Sequence, residues 1–157
     1  MKTTFALLLL ILSNASFAGN AYPRSPDLSL TPGSLCQTPD SLRYPEQIPY
    51  CERNVNWATK EMIFLNYRKL GFSLSGERGQ YKIDHFIPLC AGGSNNENNL
   101  WPQYRTISER TDLIEMWGCE VLGKGKITQK ELIELVLKAK LDLREAPVVL
   151  KYLKNLR

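Results

Sequence analysis

Asp84 and His85 are the neighbouring residues of this chain best suited to catalysis. A histidine has an ordinary pKa of about 6.5, so its neutral imidazole can take a proton from water near neutral pH. A carboxylate is a preferred ligand of hard divalent cations such as Mg²⁺. Together the two residues could activate a water molecule and hold a cation against a phosphate group. His85 is the only histidine of the chain, so no second imidazole competes for the role of base.

The local sequence predicts how these two side chains are positioned. Partly alternating β-forming residues favour a strand over 81–89, followed by a polar turn-rich loop over 91–99 and an extended segment at 100–102. Neighbouring strand residues point to opposite faces, so Asp84 and His85 share one site only if the backbone twists or bulges there. A histidine in an apolar strand more often has a structural role, so the pair alone does not establish catalysis.

Helices are predicted on both sides of this segment. Asn56 is a suitable N-cap and Gly71 a suitable C-cap for a helix over 57–70. A second helix is predicted over 106–122, ending before Gly123.

The C-terminal part is predicted to be helical as well. Thr128 and Glu131 form a capping box for a helix whose apolar face includes Leu132 and Val136. A last helical piece is expected over 143–156. The large apolar residues expected in the core are Trp57, Phe64, Leu65, Trp101 and Trp117.

The first residues resemble an export signal. A short positive start is followed by an apolar run over 5–12 and small residues before Gly19, so residues 1–18 are predicted to be a signal peptide cleaved near Ala18. A short N-terminal anchor is the alternative, although the run is shorter than the roughly 20 residues that span a bilayer. Residues 19–55 are proline-rich and are expected to form an irregular arm, which joins residues 56–157 in one globular domain. The mature protein is expected to be secreted or periplasmic, with no membrane association, and monomeric.

Four cysteines remain in the predicted mature chain: Cys36, Cys51, Cys90 and Cys119. An even number in an exported chain indicates two disulfides, for which three pairings exist. We favour Cys36–Cys51 and Cys90–Cys119, because these loops do not cross. Each bridge would stabilise the fold by roughly 3 kcal/mol. A cysteine zinc site is the competing use, but the chain has no CxxC pair and one histidine.

The central segment resembles the HNH, or ββα-metal, nucleases, and more narrowly their small exported bacterial members. The resemblance lies in Ile-Asp-His-Phe-Ile-Pro-Leu at 83–89, Gly-Gly-Ser at 92–94 and Asn-Leu-Trp-Pro at 99–102. Residues 36–55 of the arm also look like the exported group. The resemblance implies an α+β fold: a ββα-metal core, made of a short two-stranded hairpin and a helix, surrounded by additional helices and stapled by disulfides.

The resemblance also implies roles for individual residues. His85 corresponds to the general base and Asp84 to a metal ligand, while Asn99 corresponds to the central asparagine that braces the loop and helps to orient the histidine. The third key position, usually a histidine or asparagine on the following helix, differs here because no histidine follows His85. Glu109 is assigned as the second metal ligand, with Ser108 as the rival by spacing.

Two arginines near Glu109 are candidates for binding substrate. Arg105 and Arg110 could contact phosphate, although an ordinary solvated helix face explains them equally well. Oxygen ligands favour one Mg²⁺ ion, with Mn²⁺ possible and Zn²⁺ disfavoured.

The expected function is metal-dependent endonucleolytic hydrolysis of phosphodiester bonds with low sequence specificity, and DNA is favoured over RNA as the partner. The net charge of +4 permits an anionic partner without requiring one. One alternative is a non-catalytic exported nucleic-acid-binding module on a degenerate nuclease scaffold. Another is a structural protein of the cell envelope.

Overall fold

The secondary structure is α+β, with four helices and two antiparallel two-stranded sheets among the residues that can be described. The structure, a computed structural model, describes residues 21–76 and 78–157, so the signal peptide predicted for residues 1–18 lies outside the described residues. Within the described ranges, no helix is long and apolar enough to cross a membrane.

The N-terminal arm is more regular than predicted. It contains a hairpin of β1 (Ser41–Arg43) and β2 (Ile48–Tyr50). Its backbone also bonds to the central loop, because the Cys36 N–H donates to the Gly92 carbonyl at 2.8 Å and the Gly33 N–H donates to the Asn98 carbonyl at 2.8 Å. The arm therefore forms one wall around the residues that follow His85.

The central strand is shorter than predicted. β3 (Tyr81–His85) pairs with β4 (Leu100–Tyr104), and His85 faces Leu100 across the ladder. The predicted strand continued to residue 89, but beyond His85 the chain turns. The reason is Asn99, whose backbone carbonyl and side chain both bond to the turning residues, with the Phe86 N–H donating to its carbonyl at 2.7 Å. His85 is thus the last residue of β3.

Four helices surround this hairpin. They are α1 (Trp57–Lys69), α2 (Arg105–Gly123), α3 (Gln129–Leu141) and α4 (Ala146–Asn155). Because α2 follows β4 directly, the chain runs strand, strand, helix through the segment that carries the motif.

The predicted N-caps are confirmed, although only one of the two hydrogen bonds of the predicted capping box forms. The Asn56 side chain accepts the Thr59 N–H at 2.9 Å, and the Thr128 side chain accepts the Glu131 N–H at 3.2 Å. Gly71 was predicted to be the C-cap of α1, but the C-cap is Leu70. Gly71 comes one residue later with a φ of 92°, a left-handed conformation that glycine adopts without strain.

The core has two apolar clusters. One lies between α2, α3 and α4, and the other lies between α1 and the β3–β4 hairpin. Phe64 and Trp101 are buried as predicted, and Trp117 is partly buried. Trp57 and Leu65 were predicted to be buried, but they are 75% and 50% exposed. That prediction was wrong because α1 buries only its narrow face, which carries Ile63, Phe64 and Tyr67.

Two disulfides join distant segments, and the favoured pairing is confirmed. Cys36–Cys51 closes the arm around the β1–β2 hairpin, and Cys90–Cys119 ties the turn after β3 to α2. Both bridges therefore hold segments that lie next to the end of β3.

Candidate functional site

The side chain of His85 is oriented by a chain of two hydrogen bonds. Its Nε2 lies 3.0 Å from Asn95 Oδ1. Asn95 Nδ2 donates to the Glu52 carbonyl at 2.6 Å, which fixes the orientation of the amide. Because the amide oxygen can only accept, Nε2 of a neutral His85 must carry the proton, and Nδ1 keeps its lone pair. Nδ1 makes no hydrogen bond to the described part of the chain, so it is the nitrogen that can act as a base.

The protonation state of His85 suits this role. Burial lowers the pKa of His85 to about 4, and the positive charge of Arg53 acts in the same direction, against the hydrogen bond to Asn95. The imidazole is therefore neutral at pH 7 and able to accept a proton. Since His85 is only 3% exposed, catalysis would require a water molecule at Nδ1 rather than free access to the whole ring.

Arg53 lies beside the same strand end. Its Nη2 donates to the carbonyl of Ile83 at 2.8 Å, and its side chain is otherwise exposed. Pro102, which faces Ile83 across the ladder, has no N–H to donate. One guanidinium edge is thus anchored to β3, while the remaining N–H groups can meet an anion near His85.

The arm supplies both of these contacts. Glu52 and Arg53 directly follow Cys51, which is bridged to Cys36. A polar cleft of about 280 Å³ opens beside them and is bordered by Glu52, Asn54 and Asn95. The arm, which was predicted to be irregular, therefore contributes the Glu52 carbonyl that orients Asn95 and the Arg53 side chain that bonds to β3.

Lys140 of α3 anchors the other side of the strand end. Its buried ammonium group donates to Asp84 Oδ2 at 2.6 Å and to the carbonyl of His85, and it also forms an ion pair with Glu115 of α2. Burial opposes its charge, but Asp84 and Glu115 raise the pKa of Lys140 above its usual value. One cation thus joins β3, α2 and α3 immediately behind His85.

Asn99 braces the turn after His85. Its Oδ1 accepts the Ile87 N–H at 2.8 Å, and its Nδ2 donates to the carbonyls of Ile87 at 3.0 Å and Ser94 at 2.9 Å. The side chain is fully buried. It acts on the backbone rather than on the imidazole, so the direct partner of His85 is Asn95.

The arrangement of carboxylates does not fit a preformed site for a divalent ion. Both oxygens of Asp84 are occupied, one by Lys140 and the other by Lys82 at 3.2 Å. Burial opposes its ionisation, but these two lysines hold the pKa of Asp84 below its usual value. Among residues 21–76 and 78–157, no group of three or more His, Cys, Asp or Glu side chains could hold a metal ion.

The remaining predicted site residues lie on the surface of α2. Glu109, the expected second ligand, is exposed and pairs with Arg105 at 3.2 Å. Arg110 donates to the Leu143 carbonyl at 2.7 Å. The structure therefore places His85, Asp84 and Asn99 around the end of β3, with each side chain bound to different partners. It gives Glu109 and Arg105 no contact with these three residues in the described part of the chain.

Sequence analysis missed three contributors, namely Arg53, Lys140 and Asn95. Lys140 continues the apolar stripe of Leu132 and Val136 at a spacing of four residues, and a lysine on such a stripe indicates a buried partner. Asn95 carries no comparable signal, because it lies in a loop with several other asparagines.

No protein-family model, curated protein or solved structure matches this chain.

Proposed function

We propose that this protein hydrolyses phosphodiester bonds in nucleic acid, with His85 as the general base. The observation that carries this proposal is the Glu52–Asn95–His85 chain of hydrogen bonds, which leaves the lone pair on Nδ1 of a neutral imidazole. The similarity of segments 83–89, 92–94 and 99–102 to the HNH nucleases supports the same chemistry.

The residues of the site allow a simple reaction. Nδ1 of His85 takes a proton from a water molecule, and the water oxygen attacks the phosphorus atom. Arg53 contacts a phosphate oxygen and stabilises the added negative charge. The bond to the leaving oxygen breaks, and that oxygen takes a proton from solvent. General-base help of this kind typically increases the rate about 10²–10⁴-fold.

Dependence on one divalent ion, with Mg²⁺ favoured, remains a prediction based on the family resemblance. Asp84 could bind an ion only after Lys82 or Lys140 releases one of its oxygens, and Glu109 would have to leave Arg105. Comparing cleavage in EDTA, Mg²⁺, Mn²⁺ and Zn²⁺ tests this part independently.

Export of the protein is part of the same proposal. Two disulfides and the absence of a membrane-spanning helix from the described residues are compatible with a secreted or periplasmic enzyme. Mass spectrometry of protein recovered from outside the cytoplasm should give an N-terminus near Gly19.

Incubating the purified protein with plasmid DNA and with a structured RNA tests the proposed activity. We expect fragments from one or both substrates, and no sequence preference. DNA binding without cleavage under any metal condition would instead identify a non-catalytic binding module. Absence of both binding and cleavage would favour a structural role.

A further inference from the structure

One described cleft does not include His85 and is lined by three arginines. It has a volume of about 340 Å³ and is formed by three separate segments of the chain. Arg24 comes from the arm, Arg110 from α2 and Arg144 from the turn between α3 and α4. We refer to the cleft lined by these three residues as the arginine cleft. Asp142 is its only acidic residue, so the lining carries a net charge of +2.

Two of the three guanidinium groups are held in place. Arg144 makes a forked ion pair with Asp142, with Nη2 at 2.7 Å from Oδ2 and Nε at 2.9 Å from Oδ1. The hydrogen bonds from Arg144 lower the pKa of Asp142 to about 2, so the pair stays charged. Arg110 is held by its bond to the Leu143 carbonyl. Each keeps further N–H groups free to bind a ligand.

Arg24 is different, because it forms no hydrogen bond or ion pair with any other described residue. Tyr22, two residues before it, stacks on Tyr104 at the end of β4 with a centroid distance of 4.1 Å. This stacking fixes the arm next to the cleft. Arg24 therefore completes a set of three positive charges. Among the described residues, only Arg144 pairs with a carboxylate, so Arg24 and Arg110 have no counter-charge there.

We propose that the arginine cleft binds a backbone phosphate of a polynucleotide strand. Planar guanidinium groups match the oxygens of a phosphate and bind it through paired hydrogen bonds. The cleft is open to solvent, so it can accept one phosphate of a continuing strand rather than only a small free anion.

The position of the cleft connects it to the candidate active site. Leu141, which lines it, is the last residue of α3 and directly follows Lys140, and Arg110 lies on α2, the helix whose Glu115 pairs with Lys140. A strand held in the arginine cleft would thus lie next to the elements that fix β3. Binding of this strand as substrate rests on the proposed function.

Salt-dependent binding measurements test this assignment. Binding of labelled DNA oligonucleotides is measured by fluorescence anisotropy in a His85→Ala background, which prevents cleavage. The test variants are Arg24→Gln and Arg144→Gln, alone and combined, and Lys151→Gln is the matched control, because Lys151 is exposed on α4 outside the cleft.

We expect each single cleft variant to reduce the slope of log affinity against log salt by about 0.9 for duplex DNA, or about 0.7 for single strands, and the combined variant to reduce it by about twice as much. Affinity near 0.1 M salt should fall about fivefold to tenfold. Lys151→Gln should leave the slope unchanged, and thermal melting should show that every variant is folded.

Three results would overturn the assignment: unchanged slopes in the cleft variants, an equal loss in Lys151→Gln, or competition by inorganic phosphate as strong as by an oligonucleotide of equal phosphate content. The proposed hydrolysis and the assignment of the cleft can be tested independently of each other. If wild-type protein cleaves nothing while the cleft variants lose DNA binding, the cleft binds nucleic acid but the proposed hydrolysis is wrong. If wild-type protein cleaves and the cleft variants bind normally, only the cleft is wrong.

Discussion

At the scale of single residues, the orientation of one imidazole determines what the site can do. Asn95 fixes the tautomer of His85, and burial keeps the ring neutral. This arrangement has two measurable consequences. One is the pH dependence of hydrolysis, and the other is the loss of hydrolysis when Asn95 is replaced.

The first prediction concerns pH. Because only neutral His85 can accept a proton, hydrolysis should rise with pH around a midpoint near 4 and be level above it. Arg53→Gln should move that midpoint upward, since the positive charge of Arg53 lowers the pKa of His85. Initial rates and NMR titration of the single histidine measure both effects. A midpoint near the ordinary value of about 6.5 would contradict the buried, neutral state.

The second prediction concerns the partner of the imidazole. Asn95→Ala removes the acceptor for Nε2–H, so hydrolysis should fall roughly 10- to 100-fold, the loss typical of groups that orient a functional histidine. The neighbouring Asn96 is exposed and serves as the control, and Asn96→Ala should retain the wild-type rate. Nitrogen chemical shifts of His85 should show a mixture of tautomers only in Asn95→Ala. Pure Nε2–H tautomer in that variant would exclude the positioning role.

At the scale of elements, the end of β3 is held between the arm on one side and α2 and α3 on the other. Lys140 connects β3 with both helices through Asp84 and Glu115. Removing one partner of a buried charge network leaves the other charges without compensation, which is more costly than losing a surface ion pair.

The third prediction follows from this network. Lys140→Met should lower the free energy of unfolding by about 3–5 kcal/mol, because Asp84 and Glu115 lose their shared cation. The control is Lys138→Met on the same helix, whose exposed pair with Glu145 should cost less than about 1 kcal/mol. Urea denaturation of both variants provides the comparison. If Lys140→Met and Lys138→Met have equal free energies of unfolding, Lys140 does not stabilise the fold more than a surface lysine does.

The fourth prediction separates the two disulfides. Replacing both cysteines of either pair by alanine should lower stability by about 2–5 kcal/mol. Loss of Cys36–Cys51 should reduce hydrolysis more, because Cys51 directly precedes Glu52 and Arg53, which contact Asn95 and Ile83. Rates are compared at a temperature at which both variants are folded. A larger loss on removing Cys90–Cys119 would contradict this role of the arm.

Local signals in the sequence predicted the elements better than the contacts between them. The caps at Asn56 and Thr128 depend on neighbouring residues, so the helix positions followed from the sequence. The exposure of Trp57 and the turn after His85 depend on packing against distant segments, which periodicity does not encode. The same limit applies to Asn95, whose role depends on Glu52, 43 residues earlier.

At the scale of the whole molecule, the two proposed anion-binding features are formed by different segments of the chain. Arg53 bonds to β3 near His85. The arginine cleft is formed by the arm, α2 and the residues that directly follow Lys140. The net charge of +4 is therefore less informative than its distribution, because three arginines converge in one cleft. This distribution suits a long anionic substrate rather than a small one.

The most direct test of the central claim compares hydrolysis by wild-type protein and by His85→Gln in a single-turnover assay with saturating protein and labelled DNA. Glutamine keeps a polar side chain beside Asn95 but cannot take a proton from water. We expect His85→Gln to bind DNA like wild type and to melt as one cooperative unit, while its hydrolysis rate falls about 10²–10⁴-fold. A folded His85→Gln protein that cleaves DNA at nearly the wild-type rate would contradict the assignment of His85 as the base.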